Sequence, residues 1–169
     1  MLVIKVVLSF VIVGICAYIG ILKSKKYESR EYILREAIIL FKGIENEIKY
    51  TLAILPNAIE SVRVNMKTGL KNVLGNVSYE LLQTNLKEEN VYNEIASLKE
   101  LSIYDKQVIT NGILELGKTD VEGQIGIINM TLNTLDSLLI DAIEEKKKNS
   151  KLFKTVGLAT GLMIAIILI

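Results

Sequence analysis

Residues 6–22 read VVLSFVIVGICAYIGIL and residues 155–169 read TVGLATGLMIAIILI, and neither stretch contains a charged residue. As a helix, the first can cross a hydrocarbon core of roughly 30 Å, with the long side chain of Lys5 reaching the headgroups. The second spans only about 22 Å as a helix, so we expect residues 152–154 to lengthen it. The two stretches predict one transmembrane helix at each end of the chain.

Each of these predictions has an alternative. The first stretch could be a cleaved signal peptide, but no small-x-small cleavage motif follows it, whereas three lysines do. The second could be the core helix of a soluble domain, because its length fits either role. We favour retained anchors, which divide the chain into a transmembrane helix at residues 1–22, a domain at 23–151 and a second transmembrane helix at 152–169.

Basic residues surround the inner ends of the two apolar stretches. Five Lys or Arg lie in residues 23–35 and five in residues 144–154, whereas Lys5 alone lies on the other side. Cationic residues are in excess on the cytoplasmic side of membrane proteins. We therefore expect a protein of the cell membrane that crosses it twice, with a cytoplasmic central domain and both termini outside.

Charge also changes with distance from the apolar stretches. Residues 36–143 hold nine Lys or Arg and fifteen Asp or Glu, a net charge of −6, while 23–35 and 144–154 each have a net charge of +3. The basic flanks suit anionic headgroups, so membrane lipid is an expected partner. The domain lacks the basic face that nucleic acid requires, and we expect no nucleic-acid binding.

The inventory of reactive side chains is short. The chain has no histidine, and its only cysteine, Cys16, lies within the first apolar stretch. This excludes disulfide frameworks, Cys/His zinc sites and His-dependent nucleophilic catalysis. The acidic pairs at 88–89 and 144–145 lie in strongly charged stretches, where we expect solvated carboxylates. The inventory predicts a protein that is not an enzyme and has no catalytic residue, cofactor or metal.

The central domain is predicted to be an all-α helical bundle with two long helices that continue into the anchors. Apolar residues recur there at steps of three and four in two stripes. The stripes are Leu34, Ala37, Phe41, Ile44 and Ile48, and Val121, Ile125, Ile128, Leu132, Leu135, Leu139 and Ala142. Because both anchors enter one membrane, these helices run antiparallel, and their stripes can pair as a coiled-coil-like stalk within one chain or between chains.

Shorter helices are predicted between the two long ones. One begins at Pro56, a residue type favoured in the first helical turn. Another follows Gly69, and a third is expected around Tyr92.

Capping patterns predict the remaining helix ends. Ser102 with Asp105 is an acidic variant of a capping box and opens a helix that ends before Gly117, a residue type common after helices. Thr119 with Glu122 forms a capping box for the last long helix.

Two motifs of the bundle are distinctive. They are Glu47-Ile48-Lys49-Tyr50, followed by Leu55-Pro56-x-Ala58, and Leu116-Gly117-x-Thr119-Asp120-x-x-x-Gln124. The anchors add Gly20, Tyr27 and Arg30 after the first and Gly157-x-x-x-Gly161 in the second. In these motifs, in length and in both anchors, the chain resembles the stage III sporulation protein AB family of endospore-forming bacteria. Where that family usually has a proline two residues before Pro56, this chain has Ile54.

The resemblance implies a component of the mother-cell complex that forms a secretion-like channel toward the forespore. The soluble part of the family is similar to the cytoplasmic domain of type II secretion inner-membrane platform proteins, which is an analogy of fold. The partners implied are the cytoplasmic secretion-type ATPase of the same complex and other membrane components of the channel. A homo-oligomer stays open.

A non-enzymatic platform or assembly protein in the mother-cell membrane facing the forespore is therefore the expected function. The alternative is a membrane-anchored helical signalling or sensor module. Such a module would need a region outside the membrane to receive a stimulus, and we expect little chain there.

Six residues of the two motifs are candidates for partner contacts. They are Tyr50, Pro56, Leu116, Gly117, Asp120 and Gln124. A structural interpretation competes with each and is favoured: Gly117 ends a helix, Gln124 bonds to the preceding loop, and Tyr50 packs with Pro56 at a helix corner.

Small residues form one stripe on each apolar stretch. The stripes contain Cys16 and Gly20 in the first stretch, and Gly157, Gly161 and Ala165 in the second. Small side chains let membrane helices approach closely. We expect these stripes to contact each other within one chain, or to contact other subunits.

Overall fold

The computed structural model describes residues 2–83, 87–116 and 118–168, with the side chains of 9–83, 87–116 and 118–167. These residues form helices and no strand, so the predicted all-α class is confirmed. The helices are α1 (Leu2–Asn46), which ends in a π-helical turn (Glu47–Thr51), α2 (Leu55–Arg63), α3 (Leu70–Leu81), α4 (Glu88–Ala96), α5 (Ile103–Glu115) and α6 (Val121–Leu168).

The chain divides into two compact units. The first, here called the terminal unit, consists of Met1–Glu31 and Asp141–Ile169, and the second, the central unit, is Tyr32–Ile140. Both α1 and α6 are unbroken helices that contribute residues to each unit, as the absence of proline and paired glycine predicts.

The core of the central unit contains the predicted stripe of α1. All five of its members are buried, and Phe41 is completely so. Of the predicted stripe of α6, Ile128, Leu132, Leu135 and Ala142 are buried, Ile125 and Leu139 are half-buried, and Val121 in the first turn is exposed. A Cβ at Gly112 of α5 would lie 2.7 Å from the Phe41 ring and 2.8 Å from the methyl of Thr131, so α5 packs against both long helices at this level.

The turn before α3 is fixed by a carboxylate from α1. Glu36 Oε1 accepts hydrogen bonds from the backbone N–H of Lys67 (2.6 Å) and of Thr68 (3.2 Å), and the Thr68 hydroxyl donates to Glu36 Oε2. Thr68 Oγ1 in turn accepts from the backbone N–H of Leu70 at the start of α3 (3.2 Å). One side chain of α1 therefore satisfies the polar groups of a turn that begins about thirty residues later in the chain.

Two helix starts test the capping predictions. The capping box of α5 is confirmed, since Asp105 N–H donates to Ser102 Oγ (3.1 Å) and Ser102 N–H donates to Asp105 Oδ2 (2.8 Å). The capping box predicted from Thr119 and Glu122 is wrong. Asp120 caps α6 instead, accepting from Gly123 N–H at 3.0 Å, because α6 begins at Val121 and its N-cap position is therefore residue 120. Gly117 lies outside the described residues.

The terminal unit packs around small residues. A Cβ added at Gly20 would lie 2.5 Å from the Phe153 carbonyl oxygen, and one at Gly157 would lie 2.7 Å from the Cys16 carbonyl oxygen. One at Gly161 would lie 2.9 Å from the Cα of Val13. The backbones of α1 and α6 are thus in direct contact here, with no room for a larger side chain at these three positions.

Polar and aromatic contacts also join the two helices of the terminal unit. The hydroxyls of Ser24 and Ser150 lie 2.5 Å apart. Arg30 Nη1 donates to Glu145 Oε2 at 2.6 Å, and the ring of Tyr27 stacks on that of Phe153 with centroids 6.0 Å apart.

The two apolar stretches of the terminal unit expose large apolar side chains. Phe10 is 76% exposed, Ile167 is 84% exposed, and other large apolar side chains of both helices are also exposed, whereas Ser9, Ser24 and Ala165 are buried. Among the described residues, one helix is long and apolar enough to cross a membrane, α6 within Val121–Ile167, and only 11% of its apolar window is buried. The span predicted at residues 6–22 does not meet this criterion within the described residues and stays a prediction.

Candidate docking cleft

The two sequence motifs of the central unit meet at one cleft of about 510 Å³, here called the motif cleft. One wall is the corner between the π-helical turn and α2, and the other is the end of α5 with the start of α6. Its lining is mostly apolar and consists of Ile48, Leu52, Ala53, Ile54, Leu55, Pro56, Leu81, Leu114, Leu116, Lys118, Val121 and Gln124.

Glu47 organises the corner wall. Its carbonyl oxygen accepts from the Leu52 N–H and from the Thr51 hydroxyl (2.6 Å). Its carboxylate accepts from the hydroxyls of Thr51 (2.9 Å) and of Ser61 on α2 (2.8 Å). These bonds close the π-helical turn and attach it to α2, which fixes the direction in which the chain leaves α1.

The corner contains a strained residue. Leu52 has a φ of +50°, the only positive φ of a non-glycine residue in the described chain. The left-handed region costs an L-residue roughly 1–2 kcal/mol, and glycine would adopt it without that cost. The side chain of Leu52 is nevertheless 74% exposed at the edge of the cleft, so burial does not offset this cost.

Further apolar side chains surround this edge. Tyr50 is 82% exposed and Ile54 is 59% exposed. Pro56 is buried in the first turn of α2, and its carbonyl oxygen accepts from Ser78 Oγ of α3 at 3.0 Å. The corner is therefore anchored on the inside and apolar on the outside.

The opposite wall is held by polar contacts. Gln124 Nε2 donates to the Thr119 carbonyl oxygen at 3.0 Å, which confirms the predicted bond between Gln124 and the loop. Lys118 Nζ donates to Glu88 (3.1 Å) and to Glu115 (3.3 Å). These hydrogen bonds, that of Glu88 first, raise the pKa of Lys118 above its ordinary value, so the ammonium group stays charged at neutral pH.

Three of the six candidate residues line the motif cleft: Pro56, Leu116 and Gln124. Tyr50 is exposed and does not line the cleft, and its predicted packing with Pro56 stays a prediction. Asp120 is exposed and caps α6. Gly117 again lies outside the described residues.

Sequence reasoning missed the residues that give the cleft its chemistry. Leu52 carries no sequence signal, because leucine is an unusual residue in a left-handed conformation. Glu47 begins the first of the two motifs, but its role in closing the turn had one sequence signal, its spacing of four from Thr51, which allows a hydroxyl to bond back within a helical turn.

Both motifs of the motif cleft also lie within the part of the chain that matches a known protein family. The model of the stage III sporulation protein AB family matches residues 5–169. The chain belongs to the stage III sporulation protein AB family. Since the match extends over nearly the whole chain, it includes both units and both walls of the motif cleft. No curated protein and no solved structure matches the chain significantly.

Membership of the sporulation family gives the chain a role in sporulation. The small residues predicted to pack helices fall in the terminal unit of this family member. Cys16, Gly20, Gly157 and Gly161 lie at the contact of α1 with α6, and Ala165 is buried farther along α6. Within the described residues, no group of three or more His, Cys, Asp or Glu side chains is placed to hold a metal ion.

Proposed function

We propose that this protein is a non-enzymatic membrane platform of the sporulation channel complex. Its terminal unit anchors it in the mother-cell membrane facing the forespore. Its central unit is the cytoplasmic docking surface for the secretion-type ATPase of the same complex. Family membership supports the role in sporulation, and two further observations support the rest.

The composition of the terminal unit supports the membrane anchor. There Ser9, Gly20, Ser24, Gly161 and Ala165 are buried, whereas large apolar side chains such as Phe10 and Ile167 are exposed. In water this arrangement would forgo most of the stabilisation that burying apolar area provides. In lipid this arrangement is expected, because lipid does not drive large apolar side chains into the helix contact. Helices associate there through close packing of small residues.

The motif cleft supports a docking function for the central unit, and it is the observation that carries the proposal. An apolar cleft edged by exposed Tyr50, Leu52 and Ile54 offers what the core of a protein interface uses: large apolar side chains around a concave surface. The strain at Leu52 adds to this, since strained backbone is retained where function requires a particular display of the side chain.

Charge indicates the kind of partner surface. The central unit holds ten Lys or Arg and fourteen Asp or Glu, a net charge of −4. The partner surface is expected to insert an apolar side chain into the cleft and to carry basic residues around it. Such charge complementarity mainly raises the rate of association, and added salt lowers this rate by screening the charges.

The test is co-purification of the full chain, in detergent, with the cytoplasmic ATPase of the complex. The variant Tyr50→Ser/Ile54→Ser removes two exposed side chains beside the cleft. The control Ile103→Ser/Tyr104→Ser removes the same two residue types from exposed positions of α5 that do not line the cleft. We expect the first variant to weaken binding at least tenfold, as for loss of interface anchors, and the control to change it less than twofold.

Equal binding by both variants would overturn the docking role of the cleft. Failure of the unmodified chain to bind the ATPase under any salt condition would overturn the platform function itself. Sporulation efficiency in cells producing each variant gives the same ranking without purification.

A further inference from the structure

The terminal unit contains a second concave surface, which is basic. A cavity of about 540 Å³ lies between Glu31 of α1 and one face of α6, where Lys146, Lys147, Ser150, Lys151 and Lys154 recur at helical spacing. A neighbouring cavity of about 360 Å³ shares Lys147 and Lys151 and adds Lys148, with Leu152, Thr155 and Val156 along its wall. We call the two cavities together the lysine pocket.

Most of the positive charge of the lysine pocket is not neutralised by ion pairs among the described residues. Lys146 Nζ donates to Glu31 Oε2 at 2.9 Å, which pairs the only carboxylate of the lining. Lys147, Lys148, Lys151 and Lys154 have no ion pair among the described residues. Four lysines on a single helix repel one another, so an anion bound among them would lower the free energy of this arrangement.

The walls distinguish the class of anion. The first cavity is lined by four lysines and Ser150, together with Ile143 and with Glu31, whose carboxylate is paired with Lys146. The lysines suit the oxygens of a phosphate group. In the second, exposed Leu152 and Val156 continue from the lysines toward the apolar end of α6. An inorganic phosphate ion cannot form apolar contacts with this wall, whereas the acyl chain of a phospholipid can.

We propose that the lysine pocket binds the phosphate headgroup of one anionic glycerophospholipid, with the start of an acyl chain against Leu152 and Val156. This goes beyond a general attraction between basic flanks and lipid, because it assigns a defined site on one helix face. The inference rests on the proposed membrane location of the terminal unit.

The test uses the full chain extracted from membranes in detergent and analysed by native mass spectrometry with added phosphatidylglycerol. The pocket variant is Lys147→Gln/Lys151→Gln, which removes the two lysines shared by both cavities. The control is Lys25→Gln/Lys26→Gln, which removes the same charge from exposed positions of α1 in the same unit, outside the pocket.

We expect one phosphatidylglycerol retained per chain. Each lysine near an anionic headgroup contributes roughly a fivefold increase in affinity, so the pocket variant should bind at least tenfold more weakly and the control should differ less than twofold. Phosphatidylcholine, whose phosphate is balanced by choline, should not be retained, and millimolar inorganic phosphate should not displace the lipid.

Equal retention by the two variants would overturn the site. Binding of inorganic phosphate with displacement of the lipid would show a phosphate pocket instead, and would overturn the assignment to lipid. Membrane extraction with alkaline carbonate separates these outcomes from failure of the proposed function: a chain released by carbonate is not a membrane anchor, whereas a chain that stays in the membrane but retains no lipid refutes only the lysine pocket.

Discussion

The two units of this protein use the same two helices in opposite ways. In the central unit α1 and α6 bury Phe41, Ile44 and Leu135. In the terminal unit the same helices bury Ser24 and place glycines in contact, while Phe10 and Ile167 are exposed. The two helices thus bury large residues in one unit and small residues in the other, which is what the proposed membrane location of the terminal unit requires.

Charge follows the same division. The terminal unit holds ten Lys or Arg and five Asp or Glu, a net charge of +5, against −4 for the central unit. The two proposed functions, anchoring and docking, therefore have different chemical requirements, and different residues meet them. Changes in one unit should leave the other unit's properties in place.

The largest expected effect comes from filling the glycine contact of the terminal unit. Gly157→Leu places a side chain where even a Cβ would lie 2.7 Å from the Cys16 carbonyl oxygen. Forcing α1 and α6 apart should cost about 3 kcal/mol. The measurement is disulfide formation between Ser24→Cys and Ser150→Cys in a Cys16→Ser background, which should fall at least fivefold.

Gly14 provides the matched control, because a Cβ there meets nothing within 4 Å. Gly14→Leu should leave cross-linking unchanged. If Gly14→Leu and Gly157→Leu lowered cross-linking equally, the close contact between α1 and α6 would not be what stabilises the terminal unit.

A smaller effect is expected in the central unit from Glu36→Ala. The substitution leaves the N–H groups of Lys67 and Thr68 without the carboxylate that they contact, at a cost of about 2 kcal/mol. Hydrogen exchange of the full chain should quicken in α2 and α3 and stay unchanged in the terminal unit. Glu89→Ala, at an exposed position, serves as control and should change stability by less than about 0.5 kcal/mol.

Faster exchange throughout both units after Glu36→Ala would contradict the separation of the two units. Unchanged exchange in α3 would instead show that the turn does not depend on Glu36.

The smallest effect is a gain in stability. Leu52→Gly should relieve the left-handed strain and stabilise the central unit by about 1 kcal/mol, while weakening ATPase binding by removing an exposed apolar side chain. Thermal unfolding and co-purification of the full chain measure the two effects. Leu82→Gly is the control, since Leu82 is 59% exposed with a φ of −83° and its replacement relieves no strain. A variant Leu52→Gly that is less stable, or that binds as before, would show that Leu52 is not retained for docking.

Much of this fold was predictable from local sequence signals. The stripe of α1 and the capping box of Ser102 depend on neighbours within one or two turns, and the structure confirms both. The helix predicted to begin at Pro56 is present but begins one residue earlier, at Leu55. The cap of α6 was missed by one residue because Thr119 and Asp120 are both good caps, and only the path of the preceding loop decides between them.

The cleft was not predictable in the same way. Its two walls are separated by about sixty residues of sequence, so their meeting depends on how α5 packs against α1 and α6. The π-helical turn is closed by local bonds to Glu47, but the bond that attaches the turn to α2, from the Ser61 hydroxyl to the Glu47 carboxylate, joins residues fourteen positions apart. Both motifs were recognised in the sequence, but the surface that they form required the structure.

The central claim is that the terminal unit is in the membrane and the central unit faces the cytoplasm. Its most direct test is labelling of single cysteines, Leu2→Cys and Asn90→Cys, each in a Cys16→Ser background, with a membrane-impermeant maleimide. The account predicts that intact cells label the first variant, and that the second is labelled only after the membrane is permeabilised. Labelling of Asn90→Cys in intact cells would contradict it.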